Sequence, residues 1–228
     1  MIDPLHDLDS VREATVRLLS AVESLDTAAL AGPSRLPGWS RGHILAHLSR
    51  NADALVNVFE NRPMYASAEA RGADIERDAD RPLDVHLADV RDSDARFRSV
   101  AGLPADWERV VTLRNGVTDR AARVPFRRLV EIELHHVDLD IGYELEDLPR
   151  DFVLREIDFL ADRFTGAAGV PPVRLAADSG QTWTTGGTTG GPVAVEGPAP
   201  ELLGWLAGRR TPTALTVSGG PLPALPPL

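Results

Sequence analysis

Residues 40–59 read Ser-Arg-Gly-His-Ile-Leu-Ala-His-Leu-Ser-Arg-Asn-Ala-Asp-Ala-Leu-Val-Asn-Val-Phe. Leu45, Leu48, Ala52, Leu55 and Phe59 recur at alternating spacings of three and four, which places them on one face of an α-helix. Ser40 has the chemistry of an N-cap, and Pro37-Gly38 just before it suits a turn, so a helix is expected over 41–61. A helix with one apolar stripe must bury that stripe against other helices or a sheet.

The flanking sequence supplies helices. Leu8, Val11, Ala14, Leu18, Val22 and Leu25 predict a helix over 5–30. Leu83, Leu87, Val90 and Phe97 predict another over 82–100. Pro125 suits a first helical turn, and Gly142 a stop, for a helix over 125–141. Residues 66–81 are polar and charge-mixed and read as a loop or a weak helix start, and 107–122 as short strands or a long loop. Four such helices predict an antiparallel bundle. After Pro149 the composition changes. A helix is expected over 151–164, then short strands at 173–177, 181–185, 192–196 and 213–217, with a helix at 199–207 between the last two. The fold class is therefore α+β: a four-helix bundle over 1–150 and a small α/β domain over 151–228.

Of 228 residues, 43% are hydrophobic and 25% charged, the balance of a soluble globular chain. With 24 basic and 34 acidic residues the net charge is −10, which disfavours a phosphate backbone as partner. All the basic residues are arginine, so Schiff-base and phosphate-loop lysine chemistry are excluded. Cysteine is absent, which excludes disulfides, thiolate metal sites and a cysteine nucleophile. Neither a signal peptide nor a run of about 20 apolar residues is present, so no membrane partner is expected and the chain is assigned to the cytoplasm.

Titratable residues cluster in two places. His43 and His47 share a face of the second long helix. In the fourth, Glu131-Ile132-Glu133-Leu134-His135-His136-Val137-Asp138 surrounds an apolar seam of Val130, Leu134, Val137 and Ile141. Glu131, His135 and Asp138 lie on one flank of that seam; Glu133, His136 and Asp140 lie on the other. A carboxylate and an imidazole four apart, completed by a histidine from a facing helix, make a three-ligand metal site with one open position. The same spacing also suits solvated surface pairs. Spacing selects neither the flank nor the histidine of the facing helix.

The run from Leu36-Pro37-Gly38-Trp39-Ser40 through His47 to Leu55 closely resembles the N-terminal signature of mycothiol-dependent maleylpyruvate isomerases. Glu131 to Leu139 resembles their second signature, and Leu202-Leu203-Gly204-Trp205-Leu206-Ala207-Gly208-Arg209 their C-terminal motif. The resemblance implies a DinB-like bundle followed by a small α/β domain. It implies zinc held by His47, Glu131 and His135, with mycothiol as the thiol cofactor. It also implies a functional arginine at Arg209, with Arg210 adjacent. On that basis His43 is a residue of the first helical turn or a support for a ligand, and His136 faces solvent or a neighbouring helix. Asp138, three residues after His135, has the spacing to orient its imidazole. Trp39 is read as a packing residue.

The implied activity is conversion of maleylpyruvate to fumarylpyruvate. A thiolate adds to the cis double bond, rotation follows, and the thiolate leaves. Zinc lowers the thiol pKa, the sulfur comes from outside a chain without cysteine, and Arg209 holds a substrate carboxylate or the enolate. The partners are thus a small anionic substrate and a low-molecular-weight thiol, acting on a monomer. Two alternatives stay open: a mycothiol S-transferase or related thiol-dependent detoxification enzyme, and a non-enzymatic bundle protein.

Overall fold

A computed structural model of the chain describes residues 2–103 and 106–227. Helix α1, Pro4–Val22, opens where Asp3 accepts a hydrogen bond from the His6 amide at 3.1 Å and Pro4 takes the first turn. The helix expected over 5–30 is two. Ser24 Oγ donates to the Ala21 carbonyl at 2.9 Å, and Asp26 accepts from the Ala29 amide at 2.7 Å. These side chains satisfy the backbone locally, so the chain stops and restarts as α2, Thr27–Ala31.

Helix α3, Arg41–Phe59, has Ser40 as N-cap, and its predicted stripe is buried. The polar stretch 66–81 is helical: α4, Ala68–Ala79, is capped by Ser67 accepting from the Ala70 amide at 3.1 Å. Its buried residues are Ile75, Asp78 and Ala79, too few for a visible periodicity. A Cβ at Gly42 would stand 2.1 Å from the Ala79 carbonyl oxygen, so only glycine lets α3 approach the end of α4 so closely. Helix α5, Leu83–Ala101, follows.

Residues 107–122 hold an antiparallel hairpin of β1, Val110–Thr112, and β2, Thr118–Arg120. Asn115 (φ 58°) and Gly116 (φ 73°) make its turn. Helix α6, Val124–Asp138, ends three residues before the expected Ile141, and Asp140 takes a left-handed φ of 56°. The Arg41 guanidinium receives its end, donating to the carbonyls of Leu139 at 2.7 Å and Asp140 at 3.0 Å. Helices α1, α5, α3 and α6 pack in that cyclic order around one core, which includes Val11, Leu18, Ile44, Leu48, Phe97 and Ile132.

The chain divides into two compact units between Tyr143 and Glu144. The second contains α7, Arg150–Phe164, and a four-stranded sheet in the order β4-β3-β5-β6. Strands β3, Val173–Ala177, and β5, Val193–Gly197, are parallel, while β4, Thr182–Thr185, and β6, Thr216–Ser218, pair antiparallel at the two edges. Helix α8, Ala199–Leu206, packs on α7 and on β3 and β5. The last strand begins later than the predicted 213. The Thr213 amide is taken by Glu201 Oε2 at 3.1 Å, which ties that segment to α8. No helix among the described residues is long and apolar enough to cross a membrane.

Candidate metal centre

Helices α3 and α6 pack together, with His47 on the first and Glu131 and His135 one turn apart on the second. His47 Nε2 lies 3.0 Å from Glu131 Oε2, and His135 Nε2 lies 3.3 Å from the same oxygen. The imidazole planes meet nearly at right angles, with ring centroids 4.8 Å apart. Both histidines are buried, while the Glu131 side chain keeps 33% of its exposure. One ligand atom from each of the three lies within 4.8 Å of the others. Two donors about 2.0–2.1 Å from a tetrahedral metal stand roughly 3.3 Å apart, so the spacing suits one ion.

The hydrogen bonds test that fit. Asp138 Oδ2 lies 2.9 Å from His135 Nδ1, and Asp138 is fully buried. Both nitrogens of His135 therefore face carboxylates, which requires either an imidazolium or a cation at Nε2. Burial opposes protonation of this ring, but Asp138 and Glu131 outweigh it and raise its pKa. The Glu131 carboxyl is also desolvated. Hydrogen bonds from His135 and His47 nevertheless hold it well below the usual carboxylate range. The His47 imidazole is pushed down to about 4, mainly by burial. A partly exposed carboxylate between two buried imidazoles, one of them backed by Asp138, is a donor set that fits a divalent cation.

The other flank of α6 has a different use. Glu133 is buried, pairs with Arg17 of α1 and accepts from the Tyr143 hydroxyl at 3.1 Å. His136 is 2% exposed and stacks on Tyr143 with centroids 3.9 Å apart, so it faces packing rather than solvent. His43 closes the capping box of α3, accepting from the Ser40 amide at 3.2 Å, and turns Nε2 to Glu76. Trp39, read as a packing residue, also lies against the centre, with its ring 5.5 Å from that of His47.

Sequence reading missed Arg71 and Tyr65. Arg71 Nη2 donates to His47 Nδ1 at 3.1 Å, and its guanidinium covers the Tyr65 ring at 5.7 Å. Arg71 sits on α4, which polar composition disguised as a loop.

In the second unit, Arg209 follows the end of α8, and its Nη1 donates to the Ala207 carbonyl at 3.1 Å. It helps line a cavity of about 730 Å³ with Trp205, Thr211 and Leu222. Arg210 is bound to Glu146 and, at 2.9 Å, to Glu201 Oε1, which anchors α8 to the 145–147 turn.

Residues 11–140 match the family model described as the mycothiol maleylpyruvate isomerase N-terminal domain, and residues 147–227 match that of the corresponding C-terminal domain. The chain belongs to the mycothiol maleylpyruvate isomerase family. A crystal structure of the mycothiol-dependent maleylpyruvate isomerase superposes with a TM-score of 0.88 at 24% identity, covering 99% of this chain and 97% of that one. A histidine-to-alanine mutant of that enzyme gives 0.87 at the same identity and coverage. No curated protein matches the sequence. These structures share the fold of this family member, a helical first unit followed by a small sheet-containing one.

Asp138→Asn is expected to keep the fold and weaken metal affinity by about 10- to 100-fold, the usual cost of removing the partner that orients a metal-ligating histidine. Chelator competition on the purified protein measures it, and unchanged affinity would leave Asp138 a purely structural residue.

Proposed function

We propose that this chain is a metal- and thiol-dependent cis–trans isomerase that converts maleylpyruvate to fumarylpyruvate, with zinc as the metal and mycothiol as the thiol. The observation that carries this reading is the convergence of His47, Glu131 and His135, backed by Asp138, in a chain without cysteine. Membership of the family and the name of its solved relative supply the substrate and the thiol.

In this reading His47, Glu131 and His135 hold the ion. When bound, zinc supplies the Lewis acidity that keeps an external thiol ionised at neutral pH. Asp138 accepts the Nδ1 proton of His135 and so keeps that ring's Nε2 lone pair directed at the ion. The walls of α3 and α6 bury the two imidazoles and limit competing water. Reversible addition consumes no thiol: the carbon–sulfur bond that forms is the one that breaks after rotation. Arg209 neutralises a carboxylate of the dianionic substrate.

Arg209→Ala is expected to leave zinc content and melting temperature nearly unchanged. It should cut turnover by about 10²- to 10³-fold, the effect of losing one charge-stabilising donor. A full rate with a lower melting temperature would reduce Arg209 to a cap of α8. The function itself is tested by giving purified protein maleylpyruvate and mycothiol and following loss of the cis isomer. Turnover supports the reading. Its absence, with mycothiol transferred to another electrophile instead, would assign the same centre to an S-transferase.

A further inference from the structure

Arg71 is a cation with an unusual set of neighbours. Among the described residues no carboxylate pairs with it. The acids near it on α4 are engaged elsewhere: Asp74 with Arg77, Glu76 with His43, and Asp78 with Arg77 and Arg81. Its hydrogen bond to His47 goes to the nitrogen that faces away from Glu131.

That bond fixes a tautomer. A guanidinium only donates, so His47 Nδ1 must carry the lone pair, and Nε2 must carry the proton that goes to Glu131. A cation at Nε2 needs the opposite tautomer, with the proton on Nδ1. The Arg71 donor would then face an N–H and the bond could not persist. The two imidazoles thus differ in their outer partners, Asp138 at His135 Nδ1 and Arg71 at His47 Nδ1. With a cation at Nε2, the Arg71 fork of donors would be left without its His47 acceptor.

There is room for a ligand nearby. Tyr65, the ring that Arg71 covers, forms part of the wall of a cavity of about 600 Å³ together with Val58, Met64, Val111 and Arg114. A guanidinium freed from a neutral partner next to an open cavity binds a carboxylate in bidentate fashion.

We propose that Arg71 is a carboxylate-binding residue of this centre, its guanidinium placed beside His47 to take a substrate carboxylate. This rests on the metal-dependent reading above and extends it. A substrate with two carboxylates needs two cationic partners, and Arg71 is one that the first unit provides.

The test uses maleate, a cis dicarboxylate, titrated calorimetrically into the zinc-loaded, thiol-free protein. Arg71→Ala is expected to keep zinc at least as tightly as the unmodified chain. It should bind maleate about 10- to 100-fold more weakly, the factor for one charged hydrogen bond. Arg71→Lys should recover part of that affinity and Arg71→Gln little, and Arg71→Gln replaces Arg71→Ala if alanine unfolds α4. Undiminished maleate affinity in Arg71→Ala overturns the proposal, and so does loss of zinc, which would make Arg71 a support for His47 alone. Failure of the isomerase reading looks different: maleate binding would still depend on Arg71, while maleylpyruvate and mycothiol gave no turnover.

Discussion

Turnover of maleylpyruvate is expected to fall to background when mycothiol is withheld, and to survive treatment of the protein alone with a thiol-alkylating reagent. The chain has no cysteine, so it offers no thiol for such a reagent to cap and no thiolate nucleophile of its own. In the proposed reaction the nucleophile that adds to the double bond therefore arrives with the cofactor, and without it no carbon–sulfur bond forms. Excess reagent is removed before mycothiol is added, so that any inhibition reports on the protein. Unchanged turnover without thiol would assign the nucleophile to water activated by the metal.

The second large effect separates neighbouring histidines. His135→Ala is expected to lose most of the bound zinc and all thiol-dependent turnover, because it removes one of the three proposed ligands together with the Asp138 contact. His136→Ala should keep the zinc. It loses the stack on Tyr143, an aromatic contact worth about 0.5–1.5 kcal/mol beyond burial. For a chain of this size that is a fall in melting temperature of a few degrees, about 2–4 °C per kcal/mol. Elemental analysis of the two variants against the unmodified protein decides the matter. The reverse pattern, with His136→Ala empty and His135→Ala loaded, would move the centre to the other flank of α6.

The same pair shows where sequence reading stops. Val130, Leu134 and Val137 make α6 legible as an amphipathic helix, and the stripe from Leu45 to Phe59 does the same for α3. Flank choice is a tertiary matter. Glu131 and Glu133 stand symmetrically about the seam, and what distinguishes them is which helix packs on each side. Arg17 of α1 takes Glu133, and His47 of α3 meets Glu131. The motif resemblance named the second arrangement, whereas spacing held both. Helix α4 was illegible for a different reason: it buries only Ile75, Asp78 and Ala79, and Asp78 is held by arginines rather than by apolar neighbours. With 66–81 read as a loop or a weak helix start, Arg71 had no assigned place in the site. The break after α1 was hidden because Leu25 continues the apolar spacing past the point where Ser24 and Asp26 capture the backbone. In the second unit the strands were legible from short apolar runs between Gly and Pro, except where Glu201 holds Thr213 away from β5.

The proposed metal centre is tested most directly by anomalous diffraction at the zinc edge from crystals of the purified protein. The expected result is one strong peak per chain about 2.0–2.2 Å from His47 Nε2, a Glu131 carboxylate oxygen and His135 Nε2. A protein active in the thiol-dependent assay but without that peak, or with the peak at His43 or His136, would contradict it.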